Sequence, residues 1–283
     1  LGAVLLLLVP ASAAAAGPRQ AAAASPPPLA APGEAAWRTP DPQNVLVIDT
    51  TKGRIVVEMA PAAAPLHVAR IRALAKTGFY DGRAFFRVIA DFMDQTGDPT
   101  DTGTGGSTLP NLPAEFTFRR VAETPIVVVS REGGLEAGFL GSLPVIGQPM
   151  DLGLLTADHR VNAWGAFCSG VGGMARADAP DSANSQFFLM RATVASLDQK
   201  YTAWGRAISG LDVIRAIATG EPPAAPDKVL TVRLLADLPA ATAPRVRVID
   251  TRGAWFTAMA ARVRAEKVVG VSPCDFDLPS DIR

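Results

Sequence analysis

Histidine and cysteine are nearly absent: 283 residues hold two of each, His67 and His159, Cys168 and Cys274. A zinc site built from several such ligands is therefore nearly excluded, and imidazole-based hydrolysis would rest on one of two histidines. A charge excess of either sign is missing as well. Lys and Arg number 27 and Asp and Glu number 27, so the clustered basic surplus that phosphate backbones demand is lacking, and nucleic acid is not expected as a partner. No Gly-Lys-Ser/Thr ending follows Gly97-Asp98-Pro99 or Gly103-Thr104-Gly105-Gly106, which favours turns over a phosphate loop. Asp178, Asp181 and Asn184 lack the spacing and terminal Glu of an EF-hand calcium loop. No metal and no cofactor are expected. What the chain does have is apolar: 48% hydrophobic against 19% charged residues, enough at this length to bury a core.

Composition changes near residue 43. Residues 1–40 contain 14 Ala and 7 Pro but only three charges, Arg19, Glu34 and Arg38. Leu1 to Pro10, LGAVLLLLVP, falls short of the about 20 residues of a membrane span. Ala11-Ser12-Ala13 after it has the small-x-small form of a signal cleavage site. Residues 1–16 are thus expected to be a signal peptide. The mature protein would be periplasmic or otherwise exported, without stable membrane insertion and, lacking a nearby Cys, without a lipid anchor. Residues 17–43, with Pro26-Pro27-Pro28, predict an extended, semi-rigid linker.

From Val45 onward short apolar runs alternate with turn residues. Val45–Asp49 and Arg54–Glu58 flank Thr51-Lys52-Gly53 as a hairpin. Further strands are expected at Ala84–Ile89, Phe92–Thr96, Gly170–Ala175, Ser185–Met190, Ala203–Ile208 and Val229–Leu235. Eight strands suffice to close a barrel and remove exposed edges. Pro65 opens a predicted helix with Val68, Ile71 and Leu74 on one face, ending near Gly78. A second helix runs from Leu211 to Gly220. His67, beside Arg70 and Arg72, is expected on the solvated surface. A third helix over Ala254–Val268 presents Trp255, Phe256, Met259 and Val263 at helical spacing; packing on the barrel is preferred to lying on a membrane surface. The echo of VLVID in Arg245–Asp250, RVRVID, is too short to make a repeat.

The chemistry-bearing segments come in a fixed order: Phe85-Phe86-Arg87-Val88-Ile89, Phe92-Met93-Asp94-Gln95-Thr96-Gly97-Asp98 and Met174-Ala175-Arg176-Ala177. Asp181 to Leu189 (DSANSQFFL), Leu197-Asp198-Gln199-Lys200-Tyr201 and Trp204 to Ile214 (WGRAISGLDVI) follow. Together they resemble the cyclophilin-type peptidyl-prolyl isomerases over about residues 44–238. The resemblance implies a mainly β fold, a closed eight-stranded antiparallel barrel capped by two helices, with a peptide groove on its outer surface. It implies Arg87 as the catalytic residue, with Phe92, Met93, Phe188, Leu197 and Tyr201 lining a proline pocket. Gln95, Gln186 and the backbone at Arg176 would hold the peptide, and Ala175, Ala177 and Gly103 would shape the groove.

Elementary chemistry fits those roles. The X-Pro amide resists rotation by about 18–20 kcal/mol because nitrogen donates its lone pair to the carbonyl. In the twisted transition state the lone pair localises on nitrogen, and a guanidinium donor stabilises that state above the planar one. No nucleophile, metal or titrating base is needed. Strand alternation requires Phe187 and Phe188 to face opposite sides, one core and one groove. A monomer acting on proline-containing polypeptides of the cell envelope is the expectation. The alternative, a binding module using the groove or residues 239–283, is disfavoured by the presence of Arg87 beside a full pocket.

Departures from the family pattern are local. Ser196 stands where many members carry tryptophan, so weak binding of cyclosporin-like peptides is expected. Phe86 and Tyr201 occupy positions often held by histidine and keep an aromatic wall; the Asp98–Gly103 loop is one residue short. Residues 124–163 form an insertion too apolar for a free loop, and residues 239–283 an extension packed on the barrel. In an oxidising compartment Cys168 and Cys274 are expected to pair and fasten that extension; two separate buried thiols are the alternative.

Overall fold

The computed structural model describes residues 29–267 and 270–283, so the expected signal peptide and residues 17–28 of the expected linker lie outside the described residues. In chain order the elements are β1 (Trp37–Arg38), β2 (Val45–Thr50), β3 (Gly53–Met59), α1 (Pro65–Lys76), β4 (Arg87–Val88), β5 (Met93–Thr96) and β6 (Phe118–Arg120). There follow β7 (Ile126–Glu132), β8 (Leu135–Leu140), β9 (Leu143–Gly147), β10 (Val161–Gly165), β11 (Val171–Met174), β12 (Phe187–Met190) and β13 (Ala203–Ser209). The chain ends with α2 (Leu211–Ala216), β14 (Val229–Leu234), β15 (Val246–Ile249), α3 (Ala254–Glu266) and β16 (Ser280–Ile282).

The eight expected strands form one antiparallel sheet in the order β14-β2-β3-β13-β11-β12-β5-β4. It curls into a half-barrel and does not close, which corrects the expected closed barrel. Among the described residues β4 and β14 share no ladder: single bridges, Ala84↔Lys228 and Val88↔Gly220, tie the β4 end to the segment that leads into β14. The reason is local chemistry: between the bridged Gly220 and Lys228 the chain carries Pro222, Pro223 and Pro226, and prolines lack the N–H groups that would extend a ladder. Inside the curl, Leu46, Ile48, Ile55 and Val57 pack with Phe187 and Trp204 against Val68, Ile71 and Leu74 of α1 and Ile214 of α2. The intervening residues Val45 and Val56 are buried on the other face against Val246 and Val248 of β15. Burial on both faces explains why the first strand is an unbroken apolar run.

His67 is fully buried, against expectation. Glu115 is the cause: its carboxylate accepts the N–H groups of Leu66 and His67 at the start of α1 and the His67 ring Nδ1 at 2.6 Å. That carboxylate caps a helix whose first N–H groups have no internal partner.

Residues 118–165 build a second, five-stranded sheet in the order β6-β10-β9-β8-β7. Residues expected to belong to the linker are structured at their end: β1 pairs with β15, which pairs with β16. Phe139 of β8 meets Phe256 of α3 edge-on at 5.6 Å and Phe276 at 5.8 Å, so insertion and extension share a core. Cys168 and Cys274 form a disulfide with their Cα atoms 5.1 Å apart.

Candidate functional site

The site starts from a hairpin. The Phe92 N–H donates to the Ile89 carbonyl and Ile89 N–H to Met93, so Ala90 and Asp91 make a tight turn between β4 and β5. Arg87 then stands opposite Gln95, Gln95 opposite Phe188, and Phe188 opposite Gly173. Four neighbouring strands thus place these positions in one row on one face, the outcome of a side-chain period of two. Phe187, one residue on, is buried in the opposite core against Tyr80 and Trp204, as the alternation predicts. Gly173 is required by close approach: a Cβ there would lie 2.4 Å from Phe188 Cζ and 2.7 Å from Phe167. Without one, Phe188 lies over the strand and stacks on Phe167 at 5.9 Å.

Around this row is a slot of about 200 Å³, lined by Arg87, Phe92, Met93, Gln95, Ala175, Arg176, Phe188, Leu197 and Tyr201. Tyr201 meets Phe188 edge-on at 5.8 Å. The Arg176 guanidinium lies 4.6 Å from the Tyr201 ring and 5.4 Å from the Phe116 ring. It also donates to the carbonyls of Lys200, Ala177 and Asp178, fixing the rim of the slot. Phe116 is a site residue the sequence reading missed. Its run Phe116-Thr117-Phe118 carries no local signal that it returns to the groove.

A neighbouring cavity of about 500 Å³ is lined by Gln95, Gly103–Gly106, Asn111, Ala175–Ala177, Ser182, Asn184 and Gln186. Every site residue expected from the sequence therefore lines one of two adjoining depressions. Gln95 Nε2 donates to Gln186 Oε1 at 2.8 Å, and Gln186 Nε2 donates to the Gly103 and Gly105 carbonyls. The loop bearing those carbonyls winds round Asp98, whose carboxylate accepts the N–H groups of Thr100, Thr102, Gly103 and Gly105. Burial works to raise the Asp98 pKa, but these N–H donors outweigh it and hold the carboxyl below its usual range. The glycines of this segment thus serve a carboxylate anchor, in keeping with turns. Asn184 is a latch: its amide donates to Leu109 and Asn111 and its oxygen accepts from Ser107.

Arg87 forms the ridge between the slot and a third depression of about 580 Å³ bounded by Phe86, Asp101, Thr102, Glu221 and Pro222. Its Nε donates to Glu221 Oε2 at 2.7 Å, and its Cζ lies 5.9 Å from the Phe92 ring centroid. Beneath the row, fully buried Asp94 pairs with Arg191 at 2.8 Å. Burial pushes the Asp94 carboxyl up to about 7, with Arg191 opposing. Arg191 in turn donates to the carbonyls of Ile214, Arg215 and Ile217 at the end of α2, bracing β5 from behind. Among the described residues, no three His, Cys, Asp or Glu side chains are grouped as for a metal ion.

The arrangement can seat a small apolar ring beside a guanidinium and hold flanking chain with amides. Known proteins give this geometry a family. The family model described as cyclophilin type peptidyl-prolyl cis-trans isomerase/CLD matches residues 45–234. A probable peptidyl-prolyl cis-trans isomerase of Brucella suis biovar 1 is 32% identical over 213 residues, 70% of this chain and 85% of its own. The peptidyl-prolyl cis-trans isomerase ppi1 of Schizosaccharomyces pombe is 31% identical over 168 residues, 59% of this chain and 81% of its own. The crystal structure of cyclophilin AquaCyp293 from Hirschia baltica is 36% identical with a TM-score of 0.81, covering 87% of this chain and 93% of that one. The chain, with its Arg87–Gln95–Phe188 row, belongs to the cyclophilin-type peptidyl-prolyl cis-trans isomerases.

Proposed function

We propose that Arg87 catalyses X-Pro rotation in unfolded or flexible envelope proteins, with the proline ring seated in the slot of Phe92, Met93, Phe188, Leu197 and Tyr201. The carrying observation is the register that sets Arg87 beside Gln95 and Phe188 on one face. Pinned by its ring, the proline cannot follow the rest of the chain, so rotation is confined to one bond. Gln95, Gln186 and the backbone at Arg176 hold the flanking peptide, with Ala175, Ala177 and Gly103 leaving room for it. As the amide twists, its nitrogen becomes a hydrogen-bond acceptor, and an Arg87 N–H donates to it. That bond exists only off the planar state, so it lowers the barrier rather than tightening binding. A charge-assisted hydrogen bond is worth about 1.5–3 kcal/mol, so Arg87→Ala lowers kcat/KM about 10–100-fold with the fold intact. NMR exchange on an X-Pro peptide measures it. Near-wild-type exchange in folded Arg87→Ala would remove Arg87 from the mechanism.

The setting proposed is an oxidising compartment outside the cytoplasm, the protein acting there as a monomer. Leu1–Pro10 followed by Ala11-Ser12-Ala13 supports export, and the Cys168–Cys274 bridge accords with it. N-terminal sequencing of protein from the native cell should find a start after Ala13 or Ala16. A cytosolic protein retaining Leu1 would overturn export.

A further inference from the structure

We infer that Glu221 is a positioning residue for isomerisation, fixing the guanidinium of Arg87 through Nε; this rests on the catalytic reading of Arg87. The backbone sets the pair. Val88 and Gly220 exchange two hydrogen bonds, Val88 N–H to the Gly220 carbonyl at 2.8 Å and Gly220 N–H to the Val88 carbonyl at 2.9 Å. In an antiparallel register the residues flanking that bridge, Arg87 and Glu221, stand directly opposite each other. The Glu221 side is stiff. Gly220 has φ +150°, a Cβ on it would lie 2.5 Å from Pro223 Cα, and two prolines follow Glu221. A carboxylate is thereby held beside a two-residue edge strand that otherwise leaves a long arginine side chain loose.

The contact fits positioning better than stability. Arg87 and Glu221 keep 39% and 53% of their side-chain surface exposed, and ion pairs this open contribute little to folding. The hydrogen bond is to Nε alone. Among the described residues the η nitrogens of Arg87 have no hydrogen-bond partner and remain as donors. The guanidinium is thus bounded by Glu221 on one side and the Phe92 ring on the other. Asp101, the other carboxylate of that depression, accepts the Ala84 N–H through Oδ1 at 3.0 Å and, among the described residues, makes no ion pair with Arg87. Glu221 is therefore the group that limits where the η nitrogens can go. Its removal should raise the barrier to rotation and leave peptide binding, which the slot and amides provide, nearly unchanged.

The test is a cycle on the full chain with Arg87→Ala, Glu221→Ala, the double variant and Glu221→Gln, each checked for folding by circular dichroism. NMR exchange against peptide concentration separates kcat from KM. Glu221→Ala should lower kcat about two- to fivefold, the range of an exposed pair acting on a transition state, with KM unchanged within error. Glu221→Gln, which keeps an acceptor for Nε, should recover most of the loss. In the Arg87→Ala background Glu221→Ala should cost nothing further. Wild-type kcat in Glu221→Ala, a loss confined to KM, or the same fractional loss in both backgrounds would each overturn the positioning role. Should Glu221→Ala unfold, Glu221→Asp, which withdraws the carboxylate by one methylene, takes its place: a kcat loss that vanishes in the Arg87→Ala background supports the role, and an unchanged kcat or a loss that persists there overturns it. An Arg87→Ala variant as active as wild type would instead fail the catalytic reading, so the two failures are distinguishable.

Discussion

Asp198 follows Leu197 of the slot directly, and its Oδ1 accepts the N–H of Phe167, the ring that stacks beneath Phe188. Burial pushes its carboxyl up to about 6, against the Phe167 hydrogen bond that favours the charged form. The folded chain therefore holds this proton more tightly than the unfolded chain does. The contribution is complete below the unfolded pKa near 4 and is lost as pH rises through about 6. Up to about 3 kcal/mol of stability should disappear over that interval. Asp198→Asn keeps an acceptor for Phe167 and cannot ionise, so urea unfolding of the variant should show a flatter pH dependence between 4 and 6. Equal slopes in variant and wild type would mean Asp198 titrates alike folded and unfolded. Individual residues differ in how far sequence reveals such roles. Phe187 and Phe188 were separable because strand period is a local property. Burial of His67 was not, since its partner Glu115 lies 48 positions away in a loop without periodicity. Glu221 is 134 positions from Arg87, and only the chain's return across the sheet end joins them.

At the scale of elements, the apolar runs and turn glycines located all eight strands of the half-barrel, and Pro65 marked the first turn of α1. Closure was not legible. Whether β4 and β14 zip together depends on the chain that approaches β4, and that chain runs from Gly220 to Lys228 through Pro222, Pro223 and Pro226, far downstream of the edge strand. The insertion was too apolar for a free loop, yet its pairing was not legible: β7 pairs with β8, β9 lies between β8 and β10, and the sheet ends on the three-residue β6. β1 was hidden for another reason. Trp37 and Arg38 sit in Ala/Pro-rich sequence whose composition favours linker, and only the edge of β15 makes them a strand. Tertiary pairing overrode local preference there. The groove, by contrast, was readable because its residues lie within a few positions of strand ends in ordered motifs, so element placement and site placement came together.

For the whole molecule, the question is what holds insertion and extension to the half-barrel. Glu58 of β3 is one tie, accepting both Arg38 η nitrogens at 2.7 Å and the Ser142 hydroxyl, so three regions share one carboxylate. The Phe139, Phe256 and Phe276 cluster is another, and Arg247 of β15 pairs with both Glu34 and Asp281. These contacts act in the folded state. The Cys168–Cys274 bridge spans 106 positions and acts mainly on the unfolded state, where it forbids expanded conformations. For a loop of that length the chain-entropy model gives about 4.7 kcal/mol, and native bridges commonly deliver about 2–5. The two kinds of tie are separable because a cross-link also restricts how much surface unfolding exposes. Replacing both cysteines, Cys168→Ser with Cys274→Ser, should lower the unfolding free energy by about 2–4 kcal/mol and raise the denaturant m-value, since the freed chain opens further. The native extension should stay docked, with Phe256 and Phe276 still protected, because its packing does not need the sulfurs. Denaturant titration of the double variant beside the oxidised protein measures both quantities. Unchanged free energy and m-value would mean the bridge does not constrain the unfolded chain, and the extension is then fastened by packing and ion pairs alone.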